Sequence, residues 1–147
     1  MAFKVFLAPT GSGNVVFEGD VINGYTTPDG KSISIQIFSN DRGYTAANYA
    51  TDQAGAKALR QELQELLDPH ASNEKKFEAL SKHGNFKLAR EFDGTPLILF
   101  FFGTDKLRGR CFHRGDTAAL QKVLAEFDLV LKAIDDSAAG KGPGAEA

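Results

Sequence analysis

Between Ser32 and Phe38 hydrophobic and polar residues alternate with a period of two: Ile33, Ile35 and Ile37 take one side, Ser34, Gln36 and Phe38 the other. That pattern predicts a β-strand with one buried face. Phe3 to Ala8 alternates in the same way, and Pro9 to Gly13 reads as a turn. Val15 to Ile22 is a second β-rich run, interrupted by Gly19, and Asn23-Gly24 and Pro28-Asp29-Gly30 are further turn signals. Asn40 to Gly43 should close a hairpin onto a strand from Tyr44 to Ala50. The period then changes. Ala56, Leu59, Leu63, Leu66 and Leu67 recur at helical spacing after a cap at Thr51 or Asp52, and Pro69 stops the helix. Arg60, Gln61, Glu62, Gln64 and Glu65 make its wet face.

The second half follows the same order. Glu74 to Lys82 suits either a short helix or a strand, and Phe86 to Phe92 alternates as a strand. Asp93-Gly94 is a turn, Leu97 to Phe102 an apolar strand, and Lys106 to Arg114 a basic strand. A helix is predicted from about Asp116 to Ile134, with Leu120, Val123, Leu124, Phe127, Val130, Leu131 and Ile134 as its apolar stripe. The residues after Asp136 are small and Gly-rich and predict a disordered tail.

A shift of 64 residues superimposes the two halves without a gap. Residues 29–67 and 93–131 share eight identities in 39 positions, and these include turn and cap residues: Asp29/Asp93, Gly30/Gly94, Asp41/Asp105 and Asp52/Asp116. Phe38/Phe102, Ala54/Ala118, Glu62/Glu126 and Leu67/Leu131 complete the set. Core positions also correspond, as in Ile35/Leu99 and Leu63/Phe127. The expected fold is α+β: two tandem ββ(ββ)α repeats, 1–68 and 69–136, packed as one pseudo-symmetric domain, followed by the tail 137–147. Each repeat should cover one sheet face with its helix and leave the other open.

Charge sharpens this picture. The net charge of −2 hides an imbalance: residues 1–68 carry five basic and eight acidic side chains, residues 69–134 eleven and eight. The excess cations concentrate on one strand. A period of two puts Lys106, Arg108, Arg110, Phe112 and Arg114 on one face of it, with Leu107, Gly109, Cys111 and His113 on the other. Four cations and an aromatic on one strand face can hold a phosphate backbone and stack bases. A solvated strand that guards a sheet edge would carry the same charges. Phe100 and Phe102 project on the side opposite Leu97, Leu99 and Phe101, and Phe38, with Tyr44 across its hairpin, repeats Phe102 in the first half. These aromatics are either stacking platforms for bases or an interface for a protein or a second copy of the chain.

Catalytic chemistry finds little support. His70, His83 and His113 lack the spacing of a zinc site, and the lone Cys111 forms no internal disulfide. Cys111 and His113, two apart on one strand face, fit core packing rather than a nucleophile–base pair. Gly11-Ser12-Gly13 lacks the remainder of a phosphate-loop pattern. Glu62, Glu65 and Asp68 read as a solvated helix face. The expectation is a non-enzymatic protein with no metal or cofactor. No signal peptide or membrane-length apolar run is recognisable, so a soluble, cytoplasmic protein is expected.

Units of about 65 residues, each a run of strands and a C-terminal helix, together with the stretch RGRCFHRGDTAALQKVLAEF from Arg108 to Phe127, resemble the PUR repeat. The resemblance spans about 3–134, and Whirly-type single-strand binders look similar in outline. It implies two intertwined repeats that bind single-stranded DNA or RNA on their sheet faces. The PUR pattern carries Arg and Lys on both repeats. Here the first half has Tyr44 and Asn48 where the second has Arg108 and Phe112, so symmetric binding by both halves stays open.

Overall fold

The computed structural model describes residues 3–39, 45–65, 67, 86–90, 96–101, 109–112 and 117–143; for 39, 45–47, 86–90, 96–101, 109–112, 117 and 119 the description is of the backbone. Strands β1 (Lys4–Leu7), β2 (Val15–Glu18), β3 (Ile22–Thr26), β4 (Ile33–Ser39) and β5 (Thr45–Thr51) form an antiparallel sheet in chain order. Helix α1 spans Gln53–Glu65. A second antiparallel sheet holds β6 (Phe86–Arg90), β7 (Pro96–Phe101) and β8 (Gly109–Phe112). Helix α2 spans Thr117–Ala138. The architecture is α+β.

The period-two pattern of β4 buries Ile33, Ile35 and Ile37, all at most 3 % exposed, together with Phe17 and Ile22 on the same sheet face. Two helical stripes close over that face. From α1 come Ala56, Leu59 and Leu63; from α2 come Leu120, Val123, Leu124, Phe127, Val130 and Ile134. The Asp52 carboxylate accepts the Gly55 amide at 2.9 Å and caps α1, satisfying one of the donors that a helix start leaves over.

Three expectations change. Val15 to Ile22 is not one interrupted strand but two paired strands, with a tight turn at residues 19–21 closed by the Gly19 amide donating to the Ile22 carbonyl at 2.8 Å. The Asn23-Gly24 turn signal lies inside β3, because Gly24 is there for close approach. It sits at φ 154°, and a Cβ would collide with the Ser34 carbonyl and the Phe17 ring. Residues 137–143, expected in a disordered tail, are part of the described structure. Helix α2 continues through Ala138, Ser137 is buried and donates to the Pro28 carbonyl, and Gly140 at φ 75° ends the helix.

The connectivity of the layers also differs from a helix folding back on its own strands. Helix α2, which follows the second group of strands, packs on β2 and β3 of the first sheet and on α1. Helix α1 packs on β5, and β5 touches all three strands of the second sheet. Of the expected elements, the hairpin strands 97–102 and 106–114 are described as β7 and β8, and residues 102, 106–108, 113 and 114, like the ambiguous stretch 74–82, lie outside the described residues.

A buried carboxylate ties α2 to the first sheet. Glu126 is 8 % exposed, yet it projects from the apolar side of α2. Its Oε2 accepts the Asp20 amide at 2.9 Å, and its Oε1 accepts the amides of Val21 and Ile22 at 3.0 and 3.1 Å. These are the amides of the β2–β3 turn. Gly19 leaves room for the carboxylate, since a Cβ there would overlap it. Lys122, one helical turn earlier, reaches Asp20 at 3.0 Å.

Candidate nucleic-acid interface

Backbone register fixes which positions share a face of the second sheet. Phe86 stands opposite Phe100, and Phe100 opposite Arg110. In the next row Leu88 stands opposite Ile98, and Ile98 opposite Phe112. Arg90 faces Pro96 in the last. Directly paired residues lie on one face, and the pleat repeats every second residue, so these eight positions share a single face. Strands about 4.8 Å apart make each three-strand row about 10 Å wide.

Three of the expected site residues, Phe100, Arg110 and Phe112, therefore come together on one sheet face. Lys106, Arg108, Arg114, Phe102 and Tyr44 lie outside the described residues. Phe86, Leu88 and Arg90 join the same face through β6. Their own alternation marks a strand, but only the β6–β7 register says which face they share. None of the eight positions is acidic.

Phe38, the remaining expected residue, belongs to the other sheet. It is half-buried at the end of β4, and its amide donates to the Val21 carbonyl at 2.9 Å. The face it shares, opposite the helices, has a different chemistry. One row reads Lys4, Glu18, Asn23, Gln36 and Asn48 across all five strands, and the next Phe6, Val16, Tyr25, Ser34 and Ala50. Gln36 donates to Asn48 across β4 and β5 at 3.0 Å. Tyr25 is 43 % exposed beside a shallow hollow of about 290 Å³ that Val16, Glu18 and Asn23 also line. The single Lys4–Glu18 pair leaves this face without net charge.

Among the described residues, protonation is shifted in the first sheet, its turns and helix α2. Lys122 donates to the Asp20 carboxyl and holds it below the usual carboxylate range, and Asp20 in turn raises Lys122. The Lys31 amide and the Thr27 hydroxyl lower Asp29 in the β3–β4 turn. Burial pushes the Tyr49 phenol up, a hydrogen bond with Thr51 opposes this, and the Glu62 and Asp52 carboxylates add to it. Glu62 is half-buried, with Oε2 out of contact with solvent, so it is not simply part of a wet helix face. Among the described residues no group of three or more His, Cys, Asp or Glu is placed to hold a metal ion, and no helix is long and apolar enough to cross a membrane.

No family model matches the chain, and no curated protein or solved structure matches it.

Proposed function

We propose that this protein binds single-stranded DNA or RNA, without catalysis, through the aromatic and basic face of its second sheet. Arg110, with Lys106, Arg108 and Arg114 of the same basic stretch of sequence, holds phosphates. Phe112 and Phe100, with Phe102 beyond it, stack bases. The observation that carries this reading is the register that sets Phe100 opposite Arg110 and brings Phe112 onto their face, with no acid among the eight positions there. Cations next to apolar rings, without competing carboxylates, suit a polyanion whose bases are unpaired.

The proposed architecture behind it is a PUR-like tandem repeat. At the 64-residue offset, Ile22 of β3 falls on Phe86 of β6, Thr45 of β5 on Gly109 of β8, and Gln53 of α1 on Thr117 of α2, so strand falls on strand and helix on helix. Packing of the second helix on the first sheet is also what interlocked repeats require. The β6–β7 register departs from this correspondence by one residue, with Phe86 opposite Phe100 rather than Phe101, and the β7–β8 register by two, with Phe101 opposite Gly109 rather than Cys111. A soluble, cytoplasmic setting fits the lone Cys111.

A second reading has its own support. Six of the eight positions on the face are Phe, Leu, Ile or Pro, a composition suited to a protein partner or a homodimer. The pair Arg108→Glu with Arg110→Glu separates the two. On the nucleic-acid reading it abolishes binding of a labelled single strand, measured by fluorescence anisotropy. Unchanged binding removes this face from the proposal. A dimer driven by the Phe residues would persist in the same variant by size-exclusion chromatography with light scattering.

A further inference from the structure

We infer that β6 completes the nucleic-acid interface, with Phe86 as an additional base-stacking residue and Arg90 as an additional phosphate contact. This rests on the reading above and extends it to a strand that the cation pattern of 106–114 does not point to.

Phe86 continues the row Phe86–Phe100–Arg110, so two Phe positions on neighbouring strands share a row with an Arg position. Leu88, Ile98 and Phe112 form the row behind. Arg90 lies four residues along β6 from Phe86, on the outer strand and at the far end from Arg110. Strand spacing and rise place Arg90 and Arg110 at opposite corners of the face, about 17 Å apart on the diagonal, with apolar positions between them. A single strand laid along that diagonal would meet a cation at each end and apolar positions beneath its bases.

The occupant follows from charge and composition together. Both charged positions on the face are arginines, which hold phosphate in a planar fork and stack on bases. The uncovered face of the first sheet has one cation opposite one carboxylate and three amides in a row, so it offers a polyanion no comparable attraction. A protein partner or second copy would use the apolar rows and leave the arginines at the rim.

The test uses the full chain and a fluorescein-labelled oligonucleotide of about 20 nucleotides, long enough to cross the face, titrated at several salt concentrations. Arg90→Gln should weaken binding about fivefold at low salt and reduce the log–log salt slope by about 0.7, the share of one phosphate contact on a single strand. Phe86→Leu keeps an apolar side chain but removes the ring. It should weaken binding between about fivefold and a hundredfold, the range for loss of one stacked base, with the salt slope unchanged. Equal thermal midpoints for Arg90→Gln and the unmodified protein show that the fold is intact. If both variants bind as the unmodified protein does while Arg110→Gln does not, β6 is no part of the site and this inference is wrong, although the broader reading stands. If the unmodified protein binds no single strand, the broader reading falls and takes this one with it. If Phe86→Leu instead dissociates a dimer and leaves oligonucleotide binding unchanged, the face is occupied by a second copy, which overturns the assignment.

Discussion

The two sheets of this protein present contrasting faces. On the first, the face away from the helices is neutral and amide-rich: Lys4 opposite Glu18, then Asn23, Gln36 and Asn48 in one row, with Tyr25 exposed in the next. On the second, one face combines Phe86, Phe100 and Phe112 with Arg90 and Arg110 and includes no acid among its eight described positions. Both are antiparallel sheets made from alternating strands, so backbone architecture does not separate them. The side chains on each face do, and the comparison teaches that a functional assignment here has to be made sheet by sheet. A net charge of −2 for the whole chain averages the two and predicts neither.

The largest expected effect breaks the comparison from the structural side. Glu126→Ala would leave three turn amides of the first sheet without their acceptor. It should lower unfolding stability by about 3–5 kcal/mol, since buried donors lose a charged partner, as measured by urea denaturation. Glu126→Gln keeps an acceptor oxygen and should cost roughly half as much. An alanine variant as stable as the unmodified protein would show that the turn does not depend on the helix.

Next comes charge in the basic stretch from Lys106 to Arg114. Arg108→Glu with Arg110→Glu should weaken single-strand binding by about a hundredfold or more, because two attractions become repulsions. Lys4→Glu on the first sheet should change binding by less than about twofold, because the proposed phosphate contacts lie on the second sheet. Equal losses from both would erase the distinction between the sheets. A smaller effect sharpens it: Gln36→Ala or Asn48→Ala removes one exposed cross-strand hydrogen bond and should move stability by no more than about 0.5 kcal/mol, with oligonucleotide affinity unchanged.

The smallest effect is in pH dependence. Lys122 depresses the folded-state pKa of Asp20 below 3.8, so the stability that Asp20 contributes is present above that value and is lost as pH falls through the lower folded value. Lys122 is raised above 10.5, so its share persists at neutral pH and disappears as pH rises through the folded value. Thermal melts at acid pH should therefore bring Asp20→Asn and the unmodified protein closer together as Asp20 becomes protonated. A gap that does not narrow with acidification would mean that the ion pair is thermodynamically silent.

Local periodicity made much of the first half legible. Ile33, Ile35 and Ile37 alternate because one sheet face is buried, and Leu59 and Leu63 fall on the helix stripe that covers it. The residues that misled do so because their partners are distant in sequence. Gly19 looked like an interruption, but it sits in a hairpin turn whose amides are accepted by a carboxylate more than a hundred residues later. Asn23-Gly24 has the composition of a turn, yet Gly24 is needed where β4 and Phe17 come close. Glu62 reads as a solvated helix residue from its neighbours in the chain, whereas it is partly buried and its Oε2 is out of contact with solvent. At the candidate site, alternation along one strand was enough to group Arg110 with Phe112. It could not group them with Phe86 and Arg90, because the β6–β7 register depends on pairing across a turn and not on local pattern.

Fluorescence anisotropy of labelled single-stranded DNA and RNA, about 20 nucleotides long and titrated from low to moderate salt, tests the central claim most directly. Binding whose affinity falls with salt at a log–log slope of about −2 to −3.5, corresponding to roughly three to five phosphate contacts on a single strand, is the predicted result. No binding at a protein concentration of about 100 µM, well within reach of even weak non-specific attachment, would contradict it.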